Sequence, residues 1–75
     1  MNQSIIINDD YVFNYDKYYW QCTAIISAEK RTIIIYSHIL PNQLTQTVKL
    51  DWEYLIEEQL EDQELTAPVI EVTMN

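Results

Sequence analysis

Seventy-five residues of 9.0 kDa allow one domain and a single small core. A hydrophobic fraction of 48% is enough for a folded core, while the complete lack of glycine excludes phosphate-cradling loops, dinucleotide fingerprints and nucleophile elbows. The net charge of −8 is not spread evenly: the chain up to Lys49 has four acids and four bases, and Leu50 to Asn75 has eight acids and no base.

That imbalance disfavours direct nucleic-acid binding, which draws on Lys and Arg displacing counterions, and it disfavours an anionic membrane. One cysteine and one histidine exclude a zinc site built from the chain's own nitrogen and sulfur ligands. The lone Cys22 offers no disulfide framework, and the start Met1-Asn2-Gln3-Ser4 has no basic, apolar leader character. A cytoplasmic setting is expected, that of the host cell if the chain is phage-encoded. No cofactor, metal or catalytic residue is expected.

Along the chain, Ser4 to Ile7 reads as a short β-branched strand ended by Asn8-Asp9-Asp10. Tyr11 to Trp20 holds six of the nine aromatics, with a turn at Asn14 and Asp16-Lys17, and Trp20 and Phe13 are assigned to the core. Tyr18–Ser27 and Thr32–Leu40 then read as a hairpin around the loop Ala28–Arg31. Without glycine, a type I turn in a four-residue loop is expected over the primed two-residue forms. Ser27 then opposes Thr32.

One hairpin face carries Trp20, Cys22, Ala24 and Ile26 against Ile39, Ser37, Ile35 and Ile33, and is assigned to the core. The other carries Tyr19, Gln21, Thr23 and Ile25 with Ile34, Tyr36, His38 and Leu40. It is apolar enough to call for a covering element or a partner. Cys22 is expected as a small buried hydrophobe and His38 as a surface residue, on opposite faces, so no thiolate–imidazole pair is expected.

Pro41-Asn42 stops the strand. Leu44, Val48, Trp52, Leu55, Ile56 and Leu60 then recur as one face of an amphipathic helix that starts at Asn42 or at Asp51 and ends by Leu65. Val69–Thr73 reads as a last strand. The whole is a single domain, 1–75, of α+β class in the order β-β-β-α-β: a three- to four-stranded antiparallel sheet packed on one acidic helix.

Glu53, Glu57, Glu61 and Glu64 fall on one sector of that helix, away from Trp52, with Asp51, Glu58 and Asp62 as a flanking stripe. Carboxylates four residues apart rise about 6 Å along the axis. That is close to the inclined path between successive phosphates on a DNA strand, about twice the 3.4 Å axial step. A face serving solubility alone mixes signs; this one accepts a few tenths of a kcal/mol of repulsion per Glu–Glu pair. An exposed helix face supplies no cleft to drive carboxylate pKa values apart, so acid–base catalysis is not expected.

The segment Asp51-Trp52-Glu53-Tyr54-Leu55-Ile56-Glu57-Glu58-Gln59-Leu60-Glu61-Asp62-Gln63-Glu64, in a glycine-free, Ile/Tyr/Asn-rich chain, resembles small phage-encoded inhibitors: the anti-CRISPR proteins and other DNA mimics that occlude a nucleic-acid site. The resemblance is one of class and composition, and since these inhibitors share no motif it assigns no residue a role. It implies a basic nucleic-acid-binding protein as partner, a CRISPR effector subunit or another DNA-binding host enzyme, with no nucleic acid or membrane bound directly. The partner-facing candidates are Glu53, Glu57, Glu58, Glu61, Asp62 and Glu64, with Tyr15, Tyr18 and Tyr36 as aromatic anchors. The alternative is a small cytosolic scaffold or homodimer associating through its aromatic, apolar sheet.

Overall fold

The computed structural model describes residues 5–61 and 67–74. Five strands form one sheet: β1 (Ile5–Ile7), β2 (Val12–Asn14), β3 (Tyr19–Ile26), β4 (Glu29–Tyr36) and β5 (Val69–Thr73). A single helix, α1 (Gln46–Leu60), lies between β4 and β5 in sequence. The expected α+β class, a sheet with one helix, is what the chain adopts.

Two details of the sheet differ from the sequence reading. It has five short strands, and it is mixed: β5 runs parallel to β4, with Ile33 beside Ile70 and Ile35 beside Val72. A parallel neighbour needs a crossover, and α1 is that crossover.

The β3–β4 hairpin closes on two residues. Ile26 pairs with Glu29 and Trp20 with Ile35, so the loop is Ser27-Ala28 and not Ala28–Arg31. Both loop residues have positive φ, 51° and 68°, which is the primed turn expected to need glycine or asparagine. Each residue of β3 consequently meets a partner four positions earlier than expected. Four is even, so neither strand rotates and both faces keep their residues. The four-residue loop falls instead between β2 and β3. There Asn14 Oδ1 accepts from the amides of Asp16 and Lys17, both at 3.0 Å, and Tyr18 closes the loop at φ 59°.

β1 and β2 share one edge of β3 as a broken strand. Ile7 pairs with Ala24 and Val12 with Gln21, so Asn8–Tyr11 stand against Cys22 and Thr23 alone. The break is held by side chains standing in for the ladder. Thr23 donates its amide to Asp10 Oδ1 (2.9 Å) and its hydroxyl to Asp10 Oδ2 (2.5 Å), and Asn8 Nδ2 donates to Thr23 Oγ1 (2.8 Å). The aromatic N-terminal segment therefore lies in the sheet and does not fold over its face.

The core lies between the sheet and α1. Trp52, Ile56 and Leu60 present one stripe to Trp20, Cys22, Ala24, Ile26, Ile33, Ile35, Ile70 and Val72. Each large apolar side chain fully buried here contributes about 1.5–3 kcal/mol. Trp20 donates Nε1–H to the Ile39 carbonyl at 2.8 Å and meets Trp52 edge-on at 5.8 Å, tying β3 to the helix.

The helix start lies between the two expected positions. Pro41–Gln43 form a 3₁₀ turn, closed by Leu40 donating its amide to Gln43 Oε1. Thr45 then caps α1 by accepting from the Val48 amide at 3.3 Å. Leu55 stands on the flank of the helix, 36% exposed, and does not join the core stripe. At its ends the helix touches opposite edges of the sheet: Lys49 pairs with Asp9 (3.1 Å) beside β1, and Gln59 donates to the Thr73 carbonyl (3.1 Å) in β5.

Candidate functional site

With Trp52, Ile56 and Leu60 turned to the sheet, helical spacing carries Asp51, Glu57, Glu58 and Glu61 to the outside, where all four are exposed. Glu53 sits at the border and is half-buried. Asp62 and Glu64 lie outside the described residues. Among the described residues, the helix acids make no ion pair. The ion pairs found there are Arg31 with Glu29 and Lys49 with Asp9. Lys49, the one base on the helix, is drawn to Asp9 and stands 5.8 Å above the Tyr11 ring. It neutralises none of the outward carboxylates.

The outward face holds a feature that acid counting missed. Leu50 and Tyr54, four residues apart, are 56% and 67% exposed and run as an apolar ridge between Glu57/Glu61 on one side and Asp51/Glu58 on the other. The signal was in the sequence: these two positions fall opposite Trp52 and Ile56 on the same helical wheel. An exposed tyrosine is a common anchor of protein–protein contacts, giving buried area at low entropic cost.

The three aromatic candidates do not form one surface. Tyr15 and Tyr18 flank Phe13, with ring centroids 4.9 and 5.4 Å away, and Phe13 in turn meets Trp20 at 5.2 Å. Tyr15, but not Tyr18, lines an open depression of about 450 Å³ together with Val12, Phe13, Asn14, Asp16 and Gln21. Tyr36 sits elsewhere, on the sheet face opposite the helix, edge-on to Tyr19 at 5.8 Å. Its hydroxyl donates to Glu71 Oε1, and that bond raises its pKa.

Cys22 is buried and its thiol is pushed up to about 12 by burial, with the charges of Asp10 and Glu53 adding to it. His38 is exposed and lies past the end of β4. Tyr11 packs edge-on against Trp52 at 5.7 Å, and its hydroxyl is buried with no hydrogen-bond partner among the described residues. Burial first, then the negative charge of Cys22 and nearby acids, holds its pKa well above the usual phenol. Asp10 is moved the other way. Burial alone would raise it, but hydrogen bonds from the Thr23 hydroxyl and amide outweigh that and hold it below the usual carboxylate value.

Among the described residues, no three His, Cys, Asp or Glu side chains converge as a metal set, and no helix is long and apolar enough to cross a membrane. No protein-family model, curated protein or solved structure matches the chain. The geometry and chemistry of the surface therefore carry the functional reading.

Proposed function

We propose that this chain is a protein-binding inhibitor whose α1 carboxylates take the place of nucleic-acid phosphates in a basic groove of a host protein. A CRISPR effector subunit is the first choice of partner, and another DNA-binding host enzyme the second. The observation that carries this reading is the sorting of charge on one helix. Asp51, Glu57, Glu58 and Glu61 are all exposed and unpaired among the described residues, while the helix's one lysine is turned to Asp9.

The arrangement suits a cationic groove physically. Rows of carboxylates at about 6 Å per four residues can meet arginine and lysine side chains spaced for a phosphate backbone. Leu50 and Tyr54 add the apolar contact that a nucleic acid would supply through its sugars and bases. On this reading the protein acts by occupancy, and no bond is made or broken.

The test is the triple substitution Glu57→Gln, Glu58→Gln, Glu61→Gln against a panel of purified CRISPR effectors. The native chain is expected to bind one of them in competition with duplex DNA, with affinity that falls steeply as salt rises. The triple variant should keep the fold and lose most of that binding. Equal binding by the native chain and the variant would refute the phosphate-surrogate role.

A further inference from the structure

The two edges of the sheet are of different kinds. One is broken: β1 and β2 are three residues each, and Asn8–Tyr11 interrupt them. At the other, β5 runs without interruption from Val69 to Thr73. Thr32 donates its amide to the Pro68 carbonyl (2.9 Å), and Met74 donates to the Tyr36 carbonyl (2.7 Å). That alternation turns the amides and carbonyls of Ile70 and Val72 toward β4, and those of Val69, Glu71 and Thr73 away from it. Gln59 accordingly reaches the Thr73 carbonyl from outside the ladder. The other outward groups are the amides of Val69, Glu71 and Thr73 and the carbonyls of Val69 and Glu71. None has a hydrogen-bond partner among the described residues. The devices that blunt such an edge, a bulge, a proline or a lysine, are absent from Val69 to Thr73.

We propose that this edge takes up an extended segment of a partner protein as an added strand, with a lysine or arginine of that segment beside Glu71. The unpaired main-chain groups supply the ladder bonds, and charge selects the occupant. Glu71 is exposed at the middle of β5; the Tyr36 hydroxyl uses its Oε1, which leaves Oε2 for an incoming cation. The C-terminal end of α1 stands at the same edge, since Gln59 bonds to Thr73. It brings the negative end of the helix dipole, with no basic residue in the last turn, and the exposed Glu58 and Glu61. The bases of β4 lie beyond the start of β5, because Thr32 is the partner of Val69. Lys30 and Arg31 are thus about 16 Å or more from the level of Thr73. Arg31 is paired with Glu29, and Lys30 acts on Asp10, which Thr23 holds two strands further in. His38, past the end of β4, carries no formal charge at pH 7.

The same charges exclude a second β5 as the occupant. In an antiparallel twofold pair, Val69, Glu71 and Thr73 of each copy face one another across the edge. Glu71 then meets Glu71 directly, or stands beside Val69 or Thr73 with the second Glu71 on the diagonal, within about 8 Å. Both α1 C-termini would also fall on one side of the joined sheet. A cationic segment meets neither penalty. The residues flanking its cation point to the α1 side, beside the core residues Ile70 and Val72, so an apolar–basic–apolar sequence fits. This contact uses the main chain of β5 and the Glu71 carboxylate, which the phosphate-surrogate reading of α1 does not require.

The experiment uses the full chain, labelled with nitrogen-15, and a short fluorescent peptide of alternating valine and threonine with a lysine at one central threonine position. In the free chain the amides of Val69, Glu71 and Thr73 should exchange quickly with solvent and those of Ile70 and Val72 slowly; with the lysine peptide all five should be protected. Fluorescence anisotropy should show the peptide with glutamate for lysine binding about tenfold more weakly. Glu71→Gln, which keeps an acceptor for Tyr36, should remove most of that preference. Val69→Pro deletes one outward donor at an edge position that accepts proline, and should weaken binding about fivefold. Circular dichroism keeps loss of fold apart from loss of binding. No binding of the lysine peptide would overturn the proposal, as would equal binding of the two peptides or binding indifferent to Val69→Pro. Glu57, Glu58 and Glu61 are unchanged in every variant, so failure here is distinct from failure of the helix as a phosphate surrogate.

Discussion

Replacing Ser27-Ala28 with Asn-Gly decides the hairpin register. Ser27 and Ala28 hold φ at 51° and 68°, a region that costs an L-residue about 1–2 kcal/mol and glycine almost nothing. Ala28→Gly releases that cost but returns about 0.4–1 kcal/mol of freedom to the unfolded chain. Ser27→Asn adds a few tenths, because the short amide side chain tolerates the left-handed region. The net gain for the pair is about 1 kcal/mol, and for a domain of this length that raises the melting temperature by about 4–8 °C. Thermal melts followed by circular dichroism measure it, with Ala28→Val as the control. A β-branched side chain at φ 68° should lower the midpoint. A fall in midpoint with Asn-Gly would refute the two-residue turn. That result fits a four-residue loop over Ala28–Arg31, where Ala28 has an ordinary right-handed φ and glycine only adds unfolded-state entropy.

Tyr11→Phe removes a buried hydroxyl that has no partner among the described residues while keeping the edge contact with Trp52; the variant should be more stable by up to about 1 kcal/mol in urea unfolding. Cys22, buried with its thiol raised to about 12, should resist an aromatic disulfide reagent at pH 8 in the folded protein and react at once in denaturant. Asp10 has a folded pKa below its unfolded one, so its contribution is fully present at neutral pH and is lost as pH falls below about 3.8 toward the folded value. Native chain and Asp10→Asn should therefore differ in stability at pH 7 and converge at low pH, as urea midpoints would show.

Where side-chain pattern decides the structure, the sequence was legible. β3 alternates between buried and more exposed residues, β4 buries Ile33, Ile34 and Ile35 in succession, and Trp52, Ile56 and Leu60 mark the buried stripe of α1 at helical spacing. The turn was not legible, because Ser-Ala carries no signal for positive φ; the surrounding ladder imposes it on residues that would not choose it. The direction of β5 was implied by the order strand–helix–strand, since a helix spanning the sheet returns the chain parallel to the strand it left. Asn8-Asp9-Asp10 has turn composition, yet Asp10 uses its carboxylate to replace ladder bonds and the chain continues along the same edge. At the surface, the outward acids were predictable from spacing alone, whereas Leu50 and Tyr54 were hidden by counting charges. Tyr36 was grouped with Tyr15 and Tyr18 by residue type, although alternation along the hairpin already set it on the face away from the core, where the structure places it.

The central claim is that α1 occupies a site built for phosphates. Its most direct measurement is a competition assay in which a purified CRISPR effector holds labelled target duplex and this chain is added at increasing salt. The account predicts displacement of the DNA by the native chain, weakening steeply with ionic strength and lost in the Glu57/Glu58/Glu61→Gln variant. Undisturbed DNA across the panel, or displacement that the triple variant performs as well, would contradict it.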